Sequence, residues 1–356
     1  MTRTAPAFVA ATWLGCLLGC ESGARPAEAS QAVAQAQPAA LAPAPPASEL
    51  QAIAPVAVVP REGPRLPGGM RFPGRGLEHD FLVEQLGRAK PLSFKAVSTN
   101  GGVMRVRMAA PFDAAFKPTT PERPLGPMSE VAAYRLARCL HMDNVPPAVT
   151  RDIPAAQIRA ALDPESKQSW SELRKHMGIA DDAVVRGVAI YWIPELADIG
   201  LERRDGLLRA DEWLPVTGVV PADRRSLAAS LSTMLAFDYL IGNFDRWSGG
   251  NVRGDVRATL IYVRDHDLAF PAKMNESLHR RLWQDVVRAE RFSRTFYASL
   301  KRLTRECFER ELLQDPLGAA LGKRQVAGVF DRHEALLSHV ESLIAVHGEA
   351  QVLAFE

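Results

Sequence analysis

The sequence predicts an α+β chain in which a small β-rich half with one helix precedes a larger helical half. Three patterns predict it. Residues 104–108, Met-Arg-Val-Arg-Met, alternate apolar and charged side chains just after Gly101-Gly102, as a half-buried strand leaving a turn would. Ala133, Leu136, Ala137 and Leu140 recur on a single helical face. From residue 274 onward the apolar spacing is helical throughout.

The other elements follow in order. Residues 114–118 read as a second short strand, closed by Pro118 because proline cannot donate to a ladder. Ser129 is a good N-cap for the first helix, and Pro146-Pro147 bars any continuation of it. Residues 187–193, Gly-Val-Ala-Ile-Tyr-Trp-Ile, form another strand. Leu227, Leu231, Met234, Leu235 and Asp238 then share one face of a long helix that stops at Gly242-Asn243. A last strand over 259–263 runs into Arg264-Asp265. Trp283, Phe292, Phe296 and Tyr297 on the terminal helices are expected in the core.

The chain has 356 residues, 47% hydrophobic and 24% charged, enough for one large or two modest globular domains. Its 43 Lys plus Arg against 41 Asp plus Glu leave a net charge of +2, too small a field to draw in nucleic acid. No nucleic-acid partner is expected. The four cysteines, at 16, 20, 139 and 307, contain no paired Cys-x-x-Cys, which excludes structural zinc.

The first residues are an address. Arg3 precedes an apolar run over 7–19, thirteen residues, whereas a bilayer span needs about twenty. The run reads as a cleaved signal over 1–20, and its end, Leu17-Leu18-Gly19-Cys20, resembles the lipobox of bacterial lipoproteins, which implies a diacylglycerol on Cys20. The alternative is a plain secretory signal in which Cys20 is incidental. The lipobox reading places the protein in the cell envelope, anchored to the membrane through Cys20 at the periplasmic face or the cell surface. Residues 21–69 are dominated by Ala and Pro without a single aromatic, a composition that cannot offset the entropy of ordering and reads as an extended tether. Residues 70–356 form the folded part, with halves at about 70–195 and 196–356. Outside the cytoplasm Cys139 and Cys307 could pair. Because Cys139 sits in an apolar helix, however, two separate buried thiols are expected.

Polar residues interrupting these patterns point to chemistry. Asp245 lies just past the long helix in a glycine-bearing loop, and Asn251 follows six residues later. Asp265 and Asp267 come immediately after a strand. Together they offer hard oxygen ligands suited to Mg²⁺ or Mn²⁺. With a lysine on a strand and a glutamate at a helix start, these are the parts that phosphoryl transfer requires.

Residues 130–138 (Glu-Val-Ala-Ala-Tyr-Arg-Leu-Ala-Arg) followed by Val145-Pro146-Pro147, with Ala115-Phe116-Lys117-Pro118 upstream and residues 238–246 (Asp-Tyr-Leu-Ile-Gly-Asn-Phe-Asp-Arg) downstream, resemble the secretory-pathway atypical kinases. This is the Golgi casein kinase and four-jointed group, related to phosphoinositide-kinase-like and bacterial toxin kinases. The resemblance covers about residues 95–275. It implies a two-lobed protein-kinase-like fold, ATP or another nucleoside triphosphate as donor, and Mg²⁺ or Mn²⁺. It further implies that Lys117 contacts the nucleotide phosphates and that Glu130 is its ion-pair partner; the alternative is a surface salt bridge worth about 0–1 kcal/mol. Asp245 is implied as the catalytic aspartate, against the alternative of a helix-end residue. Asp265 and Asn251 are implied as metal ligands, and Asp267 as a further ligand or a solvated carboxylate. Gly101 and Gly102 match the glycine-rich turn over the phosphates, or else an ordinary hairpin turn. His266 reads as a packing or hydrogen-bonding residue. The segment from Asp245 to Asn251 is one residue longer than is usual in the family, and Trp247 stands where many relatives have histidine.

The resemblance implies transfer of a γ-phosphate to a hydroxyl of a protein or glycan outside the cytoplasm. Nucleoside triphosphate is scarce there, so the competing expectation is a lipid-anchored pseudokinase that binds nucleotide or protein without turnover.

Overall fold

The sheet that carries Lys117 is built almost wholly from short antiparallel pairings. In this computed structural model, which describes residues 69–97 and 102–356, helix α1 (His79–Arg88) leads into strands β1 (Pro91–Ala96), β2 (Met104–Met108) and β3 (Asp113–Pro118). The signal, most of the tether, Cys20 and Gly101 lie outside the described residues. Helix α2 (Gly126–Cys139) follows, then β4 (Ala148–Pro154), short helices α3 (Ala155–Ala161), α4 (Pro164–Gln168) and α5 (Trp170–Met177), and β5 (Val184–Tyr191). The five strands pair antiparallel in the order β1-β2-β3-β5-β4. β2 keeps the burial alternation its sequence predicts.

The remainder is helical, apart from one small ribbon. After α6 (Arg204–Trp213) and α7 (Arg225–Ile241), strands β6 (Val252–Gly254) and β7 (Ile261–Val263) pair antiparallel. Helices α8 (Glu276–Val286), α9 (Arg294–Arg302), α10 (Arg305–Leu312), α11 (Pro316–Ala319), α12 (Lys323–His347) and α13 (Glu349–Val352) complete the chain. This is the α+β class the sequence predicts. Among the described residues no helix is long and apolar enough to cross a membrane.

Two buried clusters hold these elements. One joins Phe94, Val106, Phe116, Leu173 and Val185 beneath the sheet. The other joins Leu231, Leu235, Leu240, Phe308 and Val329 among the later helices, with Phe292, Phe296 and Tyr297 buried in it as expected and Trp283 packed against it. Nearly every residue of α2 is buried, and its Val131, Tyr134 and Leu136 belong to this second cluster rather than to the sheet's own core.

Three expectations need correction here. The β-rich half carries not one helix but five, α1 to α5. Helix α2 starts at Gly126, upstream of Ser129, with Pro127 in its first turn. Ser129 is therefore inside the helix, and its hydroxyl donates to the Ala269 carbonyl at 2.9 Å instead of capping. Cys139 and Cys307 are not separate thiols but a disulfide, their Cα atoms 6.2 Å apart. Burial of Cys139 was foreseeable from its apolar helix; that α10 packs along α2 and brings Cys307 to it was not.

Candidate active site

Lys117 is placed by the pleat of β3. Phe116 and Ala114 point into the core beneath the sheet, so Lys117, one residue on, points to the opposite face, towards α2. The strand pairs with β5 so that Lys117 faces Val188 and Pro118 faces Gly187. A side chain at 187 would put its Cβ 2.8 Å from the Pro118 Cα, so glycine is required for β3 to lie this close.

The Lys117 ammonium donates to Glu130 Oε1 of α2 and to Asp265 Oδ1 beyond β7, each at 2.5 Å. The lysine side chain is 18% exposed, Glu130 3% and Asp265 29%, so this is no surface salt bridge. Burial alone would favour the neutral amine, but Glu130, Asp265 and Asp267 outweigh it and hold Lys117 above its ordinary value. Burial would likewise raise Asp265; Lys117, Arg264 and Arg246 instead keep its carboxyl well below the usual range. Asp267 is raised, by burial and by the neighbouring charges of Asp265 and Glu130 against the pull of Lys117. Its carboxylate lies 3.7 Å from Arg123, in the loop between β3 and α2.

Asp265 adopts φ 66°, the left-handed region that a non-glycine residue enters only at some cost. His266, next to it, is buried; its Nε2 lies 3.1 Å from the Val263 carbonyl and its ring packs edge-on against Phe237. Burial, with Arg246 nearby, lowers its pKa to about 3, so it stays neutral. That is the packing role expected for it.

Asp245 sits on the turn after α7, which Gly242 ends with φ 68°. Asn251 Nδ2 donates to the Asp245 carbonyl at 3.0 Å and reaches its carboxylate at 3.4 Å. Trp247 is a wedge whose ring covers Gly206 of α6. Arg281 of α8 donates to the Phe244 carbonyl, so α8 braces the loop on one side. Gly102 is buried with φ 63°, its Cβ position 3.0 Å from the Pro118 ring, which places this turn beside the Lys117 strand end.

Among the described residues no three His, Cys, Asp or Glu side chains stand as a ready metal cage. Asp265 and Asp267 offer carboxylates and Asn251 an amide oxygen, hard donors of the kind that Mg²⁺ or Mn²⁺ would take beside a nucleotide's phosphates.

Two residues of this site escaped prediction. Asp238 of α7 is 4% exposed and Arg246 is 2% exposed, and the two form a bidentate ion pair with bonds of 2.7 and 2.9 Å. The available signal was an aspartate on an otherwise apolar helix face.

No known family model matches the chain, and no curated protein matches it in sequence. Solved structures do match in fold. The Golgi casein kinase with Mn/ADP bound superposes with a TM-score of 0.60 at 15% identity, over 77% of this chain and 78% of the other. A second structure of the Golgi casein kinase gives 0.61 at 16% identity, over 77% of each chain. Hydra Fam20 with sugar gives 0.59 at 18% identity, over 76% of this chain and 90% of that one. The chain therefore has the two-lobed fold of these kinases, as its motifs implied.

Proposed function

We propose that the protein is a metal-dependent phosphotransferase that moves the γ-phosphate of ATP or another nucleoside triphosphate to a hydroxyl of a protein or glycan. One observation carries this reading: a single, largely buried amine, Lys117, is gripped at once by Glu130 and Asp265, which come from a helix and a strand end far apart in sequence. A fixed cation of this kind is what the charge of a transferring phosphoryl group needs. In this reading Asp245 orients the acceptor hydroxyl and receives its proton, and Asp265, Asn251 and Asp267 hold Mg²⁺ or Mn²⁺, which would neutralise phosphate charge. Gly101 and Gly102 let the backbone approach the phosphates. A neighbour of the same fold was crystallised with Mn/ADP, which supports nucleotide and manganese as the ligands to try first.

The test is label transfer from γ-labelled nucleotide by the wild type, Asp245→Ala and Asp265→Ala. Loss in both variants is expected, with product heavier by one phosphate and not by a nucleotidyl group. Unchanged turnover in both overturns the assignment. A second reading, a nucleotide-binding scaffold without turnover, draws support from Asn251, whose amide is tied to Asp245 itself. Calorimetry with nucleotide and Mn²⁺ separates the two, since binding without transfer favours the scaffold.

The proposed location is the cell envelope, with a lipid on Cys20 as the membrane anchor. The Cys139–Cys307 bond supports export, because disulfides persist in oxidising compartments. Labelling with a fatty acid that is lost in Cys20→Ala tests the anchor.

A further inference from the structure

A buried ion pair is a poor stabiliser. Desolvating both charges offsets most of their attraction, and apolar residues of similar volume often hold a fold equally well. The Asp238–Arg246 pair therefore calls for another reason, and the rest of the guanidinium supplies one. While Nε and Nη2 hold Asp238, Nη1 donates to the Asn251 carbonyl at 3.0 Å and to the Arg264 carbonyl at 2.6 Å.

Those two carbonyls have a particular place. Strands β6 and β7 pair from Val252 opposite Val263, so Asn251 and Arg264 are the residues just past the last rung. The guanidinium continues the ladder there, with one group holding both chains. On the first chain it fixes Asn251, whose amide binds Asp245. On the second it fixes the residue immediately before Asp265. Asn243 Nδ2 adds a bond to Asp238 at 3.0 Å, which anchors the start of the same loop to α7. Arg264 also donates to the Gly250 carbonyl, a second strap across the same gap.

We infer that Arg246, held by Asp238, is a positioning residue that sets the spacing between Asp245 with Asn251 on one chain and Asp265 on the other. Its catalytic meaning rests on the phosphotransferase reading above. The clamp touches neither β3 nor α2, which carry Lys117 and Glu130, so it acts on transfer geometry more than on nucleotide affinity.

The experiment replaces both charges together, Asp238→Leu with Arg246→Met, in the full-length chain, so that no lone buried charge remains. The expected result is a melting temperature close to wild type, faster amide exchange by at least about tenfold in both 243–251 and 264–267, and unchanged exchange in α9 and α12. Turnover is expected to fall about 100-fold, the cost of a displacement near 1 Å, with nucleotide affinity within a few-fold of wild type. Arg246→Lys, which keeps the charge but cannot fork to Asp238 and two carbonyls, is the second variant and is read in the same way if the double variant does not fold. Unchanged exchange in the two segments overturns the clamp, as does full turnover with loosened segments. If the wild type transfers no phosphate while the segments still loosen together, the clamp stands and the phosphotransferase reading fails.

Discussion

Cys139, the last residue of α2, is bonded to Cys307 of α10, so the helix that presents Glu130 to Lys117 is fastened to the helical half of the chain. Two ion pairs run alongside, from Arg135 and Arg138 of α2 to Glu311 of α10 at 3.5 and 3.2 Å. Helix α2 thus has little freedom to swing away from the site.

Opening that bond has a predictable cost. It spans 168 residues, a loop whose closure constrains the unfolded chain by about 5 kcal/mol in the entropy model, while measured effects are typically about 2–4 kcal/mol. Cys139→Ser with Cys307→Ser is expected to lower Tm by roughly 5–15 °C. A thiol reductant is expected to do the same to the wild type and nothing to the variant. Equal melting curves for wild type with and without reductant would count against the bond.

Lys117→Met leaves buried Glu130 and partly buried Asp265 with no cation between them. Nucleotide affinity is expected to fall at least tenfold and turnover about 100- to 1,000-fold, the scale of losing one preorganised donor. Lys117→Arg is not a rescue, because a planar fork cannot meet both carboxylates in the space of a compact ammonium. Calorimetry with nucleotide and Mn²⁺ checks the first figure, and label transfer the second. Wild-type affinity in Lys117→Met would remove the lysine from the nucleotide site.

What the sequence made legible follows from how local each signal is. β2 was readable because its alternation lies within five consecutive residues, and α7 because Gly242 marks its end. β4 was missed because proline flanks it and Arg151 and Asp152 interrupt its apolar face, as suits an edge strand. Among site residues, Lys117, Glu130 and Asp265 were legible through motif order and they do meet. The disulfide was not, since its two cysteines stand 168 residues apart, nor was the Arg246 clamp, because its bonds to the Asn251 and Arg264 carbonyls depend on how β6 and β7 pair.

Gly187→Ala probes the closeness of β3 and β5. The added Cβ would lie 2.8 Å from the Pro118 Cα and 2.9 Å from the Phe116 ring, beside Lys117. Backbone cannot yield as a side-chain tip does, so a loss of about 1–3 kcal/mol is expected. Nucleotide-induced stabilisation should shrink as well, because the strand end that carries Lys117 is what moves. A thermal shift with and without nucleotide measures both, and an unchanged pair of values would mean that the strands have room to spare.

His79 predicts how the fold responds to acid. It opens α1 fully buried, its ring between Phe72 and Tyr134 at 5.9 and 5.8 Å, with Nε2 3.1 Å from the Asp143 carbonyl. Burial, helped by Arg138 and opposed by the Asp143 carbonyl and Asp80, lowers its pKa from 6.5 to about 4. The native state therefore refuses a proton that the unfolded chain accepts. Above the unfolded value both states are neutral and the full stability is present. As pH falls from about 6.5 to about 4, the unfolded state alone gains the proton, and stability drops by about 1.4 kcal/mol per unit, about 3 kcal/mol in all. Below about 4 this contribution stops changing. His266 and His339, also lowered by burial, act in the same direction, so His79→Gln should flatten the slope in that window without abolishing it. Urea midpoints of wild type and His79→Gln at several pH values between 7 and 4 decide it, and parallel curves would show that His79 is charged in the native state.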